Sequence, residues 1–157
     1  MGLDILACYG AANLIGKGLS ALANTKLGQV IISSISMLYG TLASLSPKSI
    51  VVLGKYSSGQ CGGYIQMANK IGGKCFQIPQ TMYKMLDKLG VAEKLNSAWL
   101  KGVMSSGARI LFNTNPNSLS PQDTSPFAME VQLMKDAGYE FIEVIEQGIQ
   151  CWETVCK

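Results

Sequence analysis

The pattern that most restricts the fold is a series of short, branched apolar runs after Pro47, at 50–53, 75–78, 110–113 and 140–145. Each is strand-sized, and longer stretches of helical character, at 64–71, 81–89, 92–106 and 126–137, separate them. Strands that alternate with helices bury both their faces beneath those helices, so the expected fold is α/β, with a mostly parallel or mixed central sheet flanked by helices. A last strand over 148–156 is expected at a sheet edge. In the long helix, Ala92, Leu95, Trp99 and Val103 recur close to helical period, which assigns Trp99 to the core rather than to an exposed stacking platform.

Residues 1–47 are of another kind: small and apolar residues dominate, and only Asp4, Lys17 and Lys26 are charged. The expectation is an apolar helical segment preceding an α/β domain at 48–157. Residues 27–47 carry no charge and are long enough to span a bilayer, but five serines, a threonine and a glutamine make them a poor transmembrane helix. A cationic start with a following cleavage site, the mark of a signal peptide, is missing. Two readings stay open, an entry region that meets a membrane or translocation partner, and a helical cover for the main domain.

The formal charge of +3 hides an asymmetry. The stretch 48–109 holds nine basic residues against Asp87 and Glu93, whereas from Ile110 onward Lys135 and Lys157 face seven acids. Such a division suits a polyanion on a basic surface, unless folding interleaves the two halves. The chain has no histidine, which removes the commonest general base and metal ligand, so any chemistry falls to Lys, Tyr, Ser, Thr, Asn or carboxylates. The five cysteines, at 8, 61, 75, 151 and 156, form no Cys-x-x-Cys pair and indicate no zinc site; the expected metal set is none. They read as free thiols of a reducing compartment, with one bridge, Cys151 to Cys156 or Cys61 to Cys75, left open.

The first strand runs into a glycine-rich turn and a helix, the layout of phosphate-binding loops. Gly54 and Gly59 have the Walker spacing, yet Gln60-Cys61 stands where that motif needs Lys and Ser/Thr, so 57–63 reads as a turn. In a parallel sheet, ligands collect beyond the carboxyl ends of the strands. That selects two loops, Gly54-Lys55-Tyr56-Ser57 and Asn113-Thr114-Asn115-Pro116. The second leads to Ser125, suited to cap a helix beginning at Pro126, with Glu130 about one turn inside on the flank of the Phe127, Val131, Met134 stripe. Backbone N–H groups at that helix start attract anions.

These residues also carry a resemblance. The string VVLGKY at 51–56, Phe76-Gln77-Ile78-Pro79, Asn96 with Trp99-Leu100, Gly107 with Ile110-Leu111, Thr114, Ser125-Pro126-Phe127 with Glu130, and Gly138-Tyr139 occur in an order that resembles the C-terminal toxin domains of bacterial polymorphic toxins. Such domains are carried by contact-dependent growth inhibition proteins and related secreted toxins. The likeness covers about 50–142 and departs from the family at 57–63, a glycine-rich insertion that the usual members lack. It implies a domain displayed or secreted by its producer, acting in the target-cell cytoplasm and held inactive at home by a cognate immunity protein. A host activating factor and a transient contact of residues 1–47 with the target's inner membrane belong to the same expectation.

Many domains of that kind cleave tRNA, and the residues suit a cofactor-free ribonuclease. Attack by the RNA's own 2′-hydroxyl needs a base, an acid for the leaving 5′-oxygen and a cation for the phosphorane, and no metal. Lys55 supplies charge, Tyr56 or Lys55 moves a proton, Thr114 and Ser125 donate to phosphate oxygens, and Glu130 is the base. Catalytic roles are therefore expected of Lys55, Tyr56, Thr114 and Glu130, and substrate contacts of Ser57, Asn96, Asn113 and Ser125. One alternative is an enzyme consuming NAD or another nucleotide, with Glu130 stabilising an oxocarbenium-like sugar. Another is a membrane-disrupting toxin built on 1–47.

Overall fold

The computed structural model describes residues 25–55 and 63–156. Its elements are α1 (Lys26–Ala43), β1 (Ile50–Leu53), α2 (Tyr64–Ile71), α3 (Gln80–Lys88), α4 (Ala92–Ser105), β2 (Arg109–Phe112), a 3-10 turn (Pro116–Ser118), α5 (Pro126–Asp136), β3 (Tyr139–Glu146) and β4 (Ile149–Cys156). The chain divides into two compact units, one holding α1, α3 and α4, the other holding the sheet with α2 and α5.

In the helical unit, Thr25 starts α1 by accepting the Gly28 N–H on its hydroxyl at 3.1 Å. The helix then buries Gly28, Ile31, Ser34 and Leu38 at intervals of three and four residues, and Ser34 satisfies its hydroxyl on Val30 O at 2.8 Å. A Cβ on Gly102 of α4 would meet both methyl groups of Leu42 at 2.9 Å, so glycine permits close packing of α4 on the end of α1. The Ala92, Leu95, Trp99, Val103 stripe is buried as its period requires. Trp99 takes the ring of Phe76 edge-on, at 5.4 Å and 73°. No helix among the described residues is long and apolar enough to cross a membrane.

The other unit is a four-stranded mixed sheet in the order β1-β2-β4-β3. β1 and β2 are parallel, with Ile50 beside Arg109 and Leu53 beside Phe112, while β4 is antiparallel to both β2 and β3. Side-chain alternation gives each face a helix. Val52, Leu111 and Cys151 pack with Met67, Ala68 and Ile71 of α2. On the opposite face Phe112 meets Phe127 of α5 and Phe141 of β3 edge-on, with ring centroids 5.9 and 5.3 Å apart. The Phe127, Val131, Met134 stripe of α5 is buried.

Of the two forms expected for the sheet, mostly parallel or mixed, the structure has the mixed one, with β1–β2 the one parallel strand pair among the described residues. Two other expectations are corrected. Residues 75–78 form no strand: Lys74 alone bridges β1, its N–H on Ile50 O at 2.8 Å and its carbonyl taking the Val52 N–H at 2.7 Å. From there the apolar residues separate, Cys75 packing against the sheet core and Phe76 joining Trp99 in the helical unit. The last strand is not an edge but lies inside the sheet, because Gln147 and Gly148, both at positive φ (48° and 79°), close a two-residue hairpin and fold β4 back between β3 and β2. Cys75, Cys151 and Cys156 are free, and no Cys151–Cys156 bridge can form along one strand, where residues five apart point to opposite faces. Burial pushes the Cys75 thiol up to about 11 and leaves it a poor nucleophile.

The basic and acidic halves do interleave. Arg109, the chain's one arginine, forks onto Glu153 at 2.8 and 2.9 Å and reaches Glu146 at 3.1 Å, which ties β2 to both strands of the hairpin. The guanidinium holds the Glu153 carboxyl below its ordinary value of 4.5. A depressed carboxylate adds stability above its unfolded pKa and loses it as pH falls through the folded value. Glu153→Gln should therefore cost about 1 kcal/mol or less at neutral pH, because Arg109 is 42% exposed. In urea melts run at a series of pH values, the difference from the parent should shrink to nothing under acid, below the ordinary 4.5. Leu111→Ala, at a wholly buried site in the centre of the sheet, should cost about 2–5 kcal/mol in the same melts.

Candidate functional site at the ends of the parallel strands

Parallel pairing brings the carboxyl ends of β1 and β2 to the same edge, so the loops that follow must meet. The ladder continues past the strands through Asn113 N–H to Leu53 O at 3.0 Å. Next, Lys55 N–H approaches the Thr114 hydroxyl at 3.4 Å, and that hydroxyl donates to Asn113 Oδ1 at 2.9 Å. Gly54 makes the approach possible: it sits at φ +150°, and a Cβ there would collide with the Asn113 amide.

The Lys55 ammonium reaches across to Asp123 Oδ2 at 3.5 Å and remains 54% exposed. Asp123 is held in turn by the start of α5, where the Ser125 N–H donates to its Oδ1 at 2.9 Å. Ser125 caps α5 by accepting the Ala128 N–H at 3.2 Å, and Pro126 occupies the first turn. Hydrogen bonds from the Ser125 hydroxyl and N–H, with Lys55 adding its charge, hold the Asp123 carboxyl below its ordinary value of 3.8. Asp123 is thus a weak base and a standing counter-ion for Lys55.

The structure brings together Lys55, Asn113, Thr114 and Ser125 of the expected set, and Asp123 is the link that sequence reasoning passed over. Its signal was present: Asp-x-Ser-Pro places an Asx turn immediately before a capped helix. Glu130 stands where expected, half-buried one turn into α5, with its Oε2 buried. Asn96 is buried in α4 of the helical unit. Tyr56, Ser57 and the rest of the glycine-rich turn up to residue 62 lie outside the described residues, as do Cys8 and Cys61.

Chemically the cluster is an exposed ammonium held by one half-buried carboxylate, beside a hydroxyl and a helix start. A single 3.5 Å contact to an ammonium that stays exposed is weak, so a phosphate group can take Lys55 from Asp123 at small cost. Gly54→Ala should displace the Asn113 amide and strain a backbone suited to glycine, costing about 1–3 kcal/mol. Thermal melting of the variant should show the loss, and its amide spectrum should show Lys55 and Thr114 shifted. An unchanged melt and spectrum would mean that the two loops are not in contact as described.

No protein-family model matches the chain, and no curated protein or solved structure matches it either, so no relative lends a role to Lys55, Thr114 or Asp123.

Proposed function

We propose that this chain is the toxin domain of a secreted antibacterial protein, a metal-independent ribonuclease that acts on tRNA in the target-cell cytoplasm and is restrained in its producer by a cognate immunity protein. The observation that carries the reading is the meeting of the Lys55 loop with the Asn113-Thr114 loop beside the start of α5. In this reading the scissile phosphate replaces Asp123 as the partner of Lys55, and Thr114 donates to one of its oxygens. Glu130 takes the proton of the 2′-hydroxyl, since the hydrogen bonds that depress Asp123 make it the poorer base. Tyr56 or Lys55 returns a proton to the 5′-oxygen, and the bond between that oxygen and phosphorus breaks as the 2′-oxygen closes a cyclic phosphate. Binding of a polyanion is supported by the helical unit, where exposed Lys84 and Lys88 are one turn apart on α3 and exposed Lys94 and Lys101 two turns apart on α4.

The test expresses the full chain in bacteria without an immunity protein and follows growth, total tRNA on a gel and NAD in the same samples. Growth arrest with cleaved tRNA and intact NAD is expected. Lys55→Ala and Glu130→Gln should each lower cleavage by about two to four orders of magnitude while the purified variants melt like the parent. NAD loss with intact tRNA would replace the ribonuclease by a nucleotide-consuming enzyme. Unimpeded growth would remove the toxin reading altogether.

A further inference from the structure

The two edges of the sheet differ. On the β1 side, Lys74 occupies the backbone with a two-bond bridge. On the β3 side no further strand pairs among the described residues, and the Asn117 amide donates to Phe141 O at 3.3 Å, which leaves 142–146 beyond it. Ile142 and Ile145 on this stretch are 47% and 76% exposed, yet they are an odd number of residues apart and so lie on opposite faces. A partner laid on one face would cover only one of them. A strand added along the edge would cover both.

Charge narrows the occupant. Glu140, Glu143 and Glu146 recur every third residue along β3, and the hairpin 139–156 adds Glu153 and holds no lysine or arginine. Arg109 neutralises one end, at Glu146 and Glu153, and Glu143 takes a hydrogen bond from Gln150 at 2.7 Å. Two copies of β3 paired antiparallel about Glu143 would set that carboxylate against its own copy, which disfavours self-pairing.

We propose that β3 is a docking edge for a basic, extended segment of another protein, which adds to the sheet as a fifth strand with Lys or Arg at every third position opposite Glu140, Glu143 and Glu146. Ladder hydrogen bonds to the outward-facing backbone groups of Glu143 and Ile145 supply the register, and β-branched residues between the cations cover Ile142 and Ile145. The edge works in this way whatever reaction the Lys55 cluster performs.

The probe is the capped peptide Lys-Val-Val-Lys-Val-Val-Lys, whose palindromic sequence fits either strand direction, added to the full chain. It should bind, slow hydrogen exchange at the outward-facing amides of Glu143 and Ile145, and weaken as salt is raised. The same peptide with N-methylated valines, unable to complete a ladder, and the peptide with Glu for Lys should each bind at least about tenfold more weakly. The charge reversal Glu143→Lys should narrow the preference for the lysine peptide over the glutamate peptide by about tenfold. Equal binding of the N-methylated lysine peptide would reduce the edge to a patch of charge and overturn the proposal. So would protection elsewhere in the chain, no binding at all, or a dimer of the chain alone with the Glu143 and Ile145 amides already protected.

Discussion

β1 and β2 lie side by side and point the same way, with Val51 beside Ile110 and Val52 beside Leu111. An antiparallel pair is closed by a tight turn, but a parallel pair needs a long crossover, and residues 54–108 form it, contributing α2 to the sheet unit and α3 and α4 to the helical one. The same pairing sets both carboxyl ends at one edge, where Gly54 lets the Asn113 amide fit closely and Lys55 meets Thr114. Had the strands run antiparallel, Lys55 and Thr114 would stand at opposite ends of the sheet.

The ion pairs of Lys55 with Asp123, and of Arg109 with Glu146 and Glu153, each join a base from the Lys-rich middle of the chain to an acid from its end. The charge asymmetry of the sequence is therefore partly spent inside the sheet unit. What remains is unevenly divided. The exposed lysines of α3 and α4 keep a cationic surface on the helical unit, and the β3–β4 hairpin keeps an acidic one. Arg109, fixed by a fork onto Glu153, is structural; Lys55, on one long contact with Asp123, can be drawn to another anion.

Much of the sheet unit was legible because local signals and tertiary roles agree. The run 50–53 is a strand with three buried residues, and Ser125-Pro126 opens a helix whose apolar stripe is buried. Reading failed where one residue serves two masters. Phe76 has the composition of a strand but packs edge-on to Trp99, and only its neighbour Lys74 pairs with β1. The strand at 148–156 is expected at an edge and lies inside the sheet; the Gln147-Gly148 turn that folds it inward lacks the asparagine or aspartate that usually announces a two-residue hairpin. At the candidate site, periodicity and loop position found Lys55 and Thr114, whereas Asp123 was hidden in a polar loop whose shape depends on a hydrogen bond to Ser125.

In the proposed function, the ends of β1 and β2 and the start of α5 form one anion-binding surface. A titration of the isotope-labelled chain with a tRNA anticodon stem-loop whose riboses are 2′-O-methylated, and which therefore cannot be cleaved, tests it directly. The amides of Lys55, Thr114 and Ser125 should shift together along one saturation curve, at an affinity that falls steeply as salt is raised. Shifts confined to the lysines of α3 and α4, with Lys55, Thr114 and Ser125 unmoved, would contradict it.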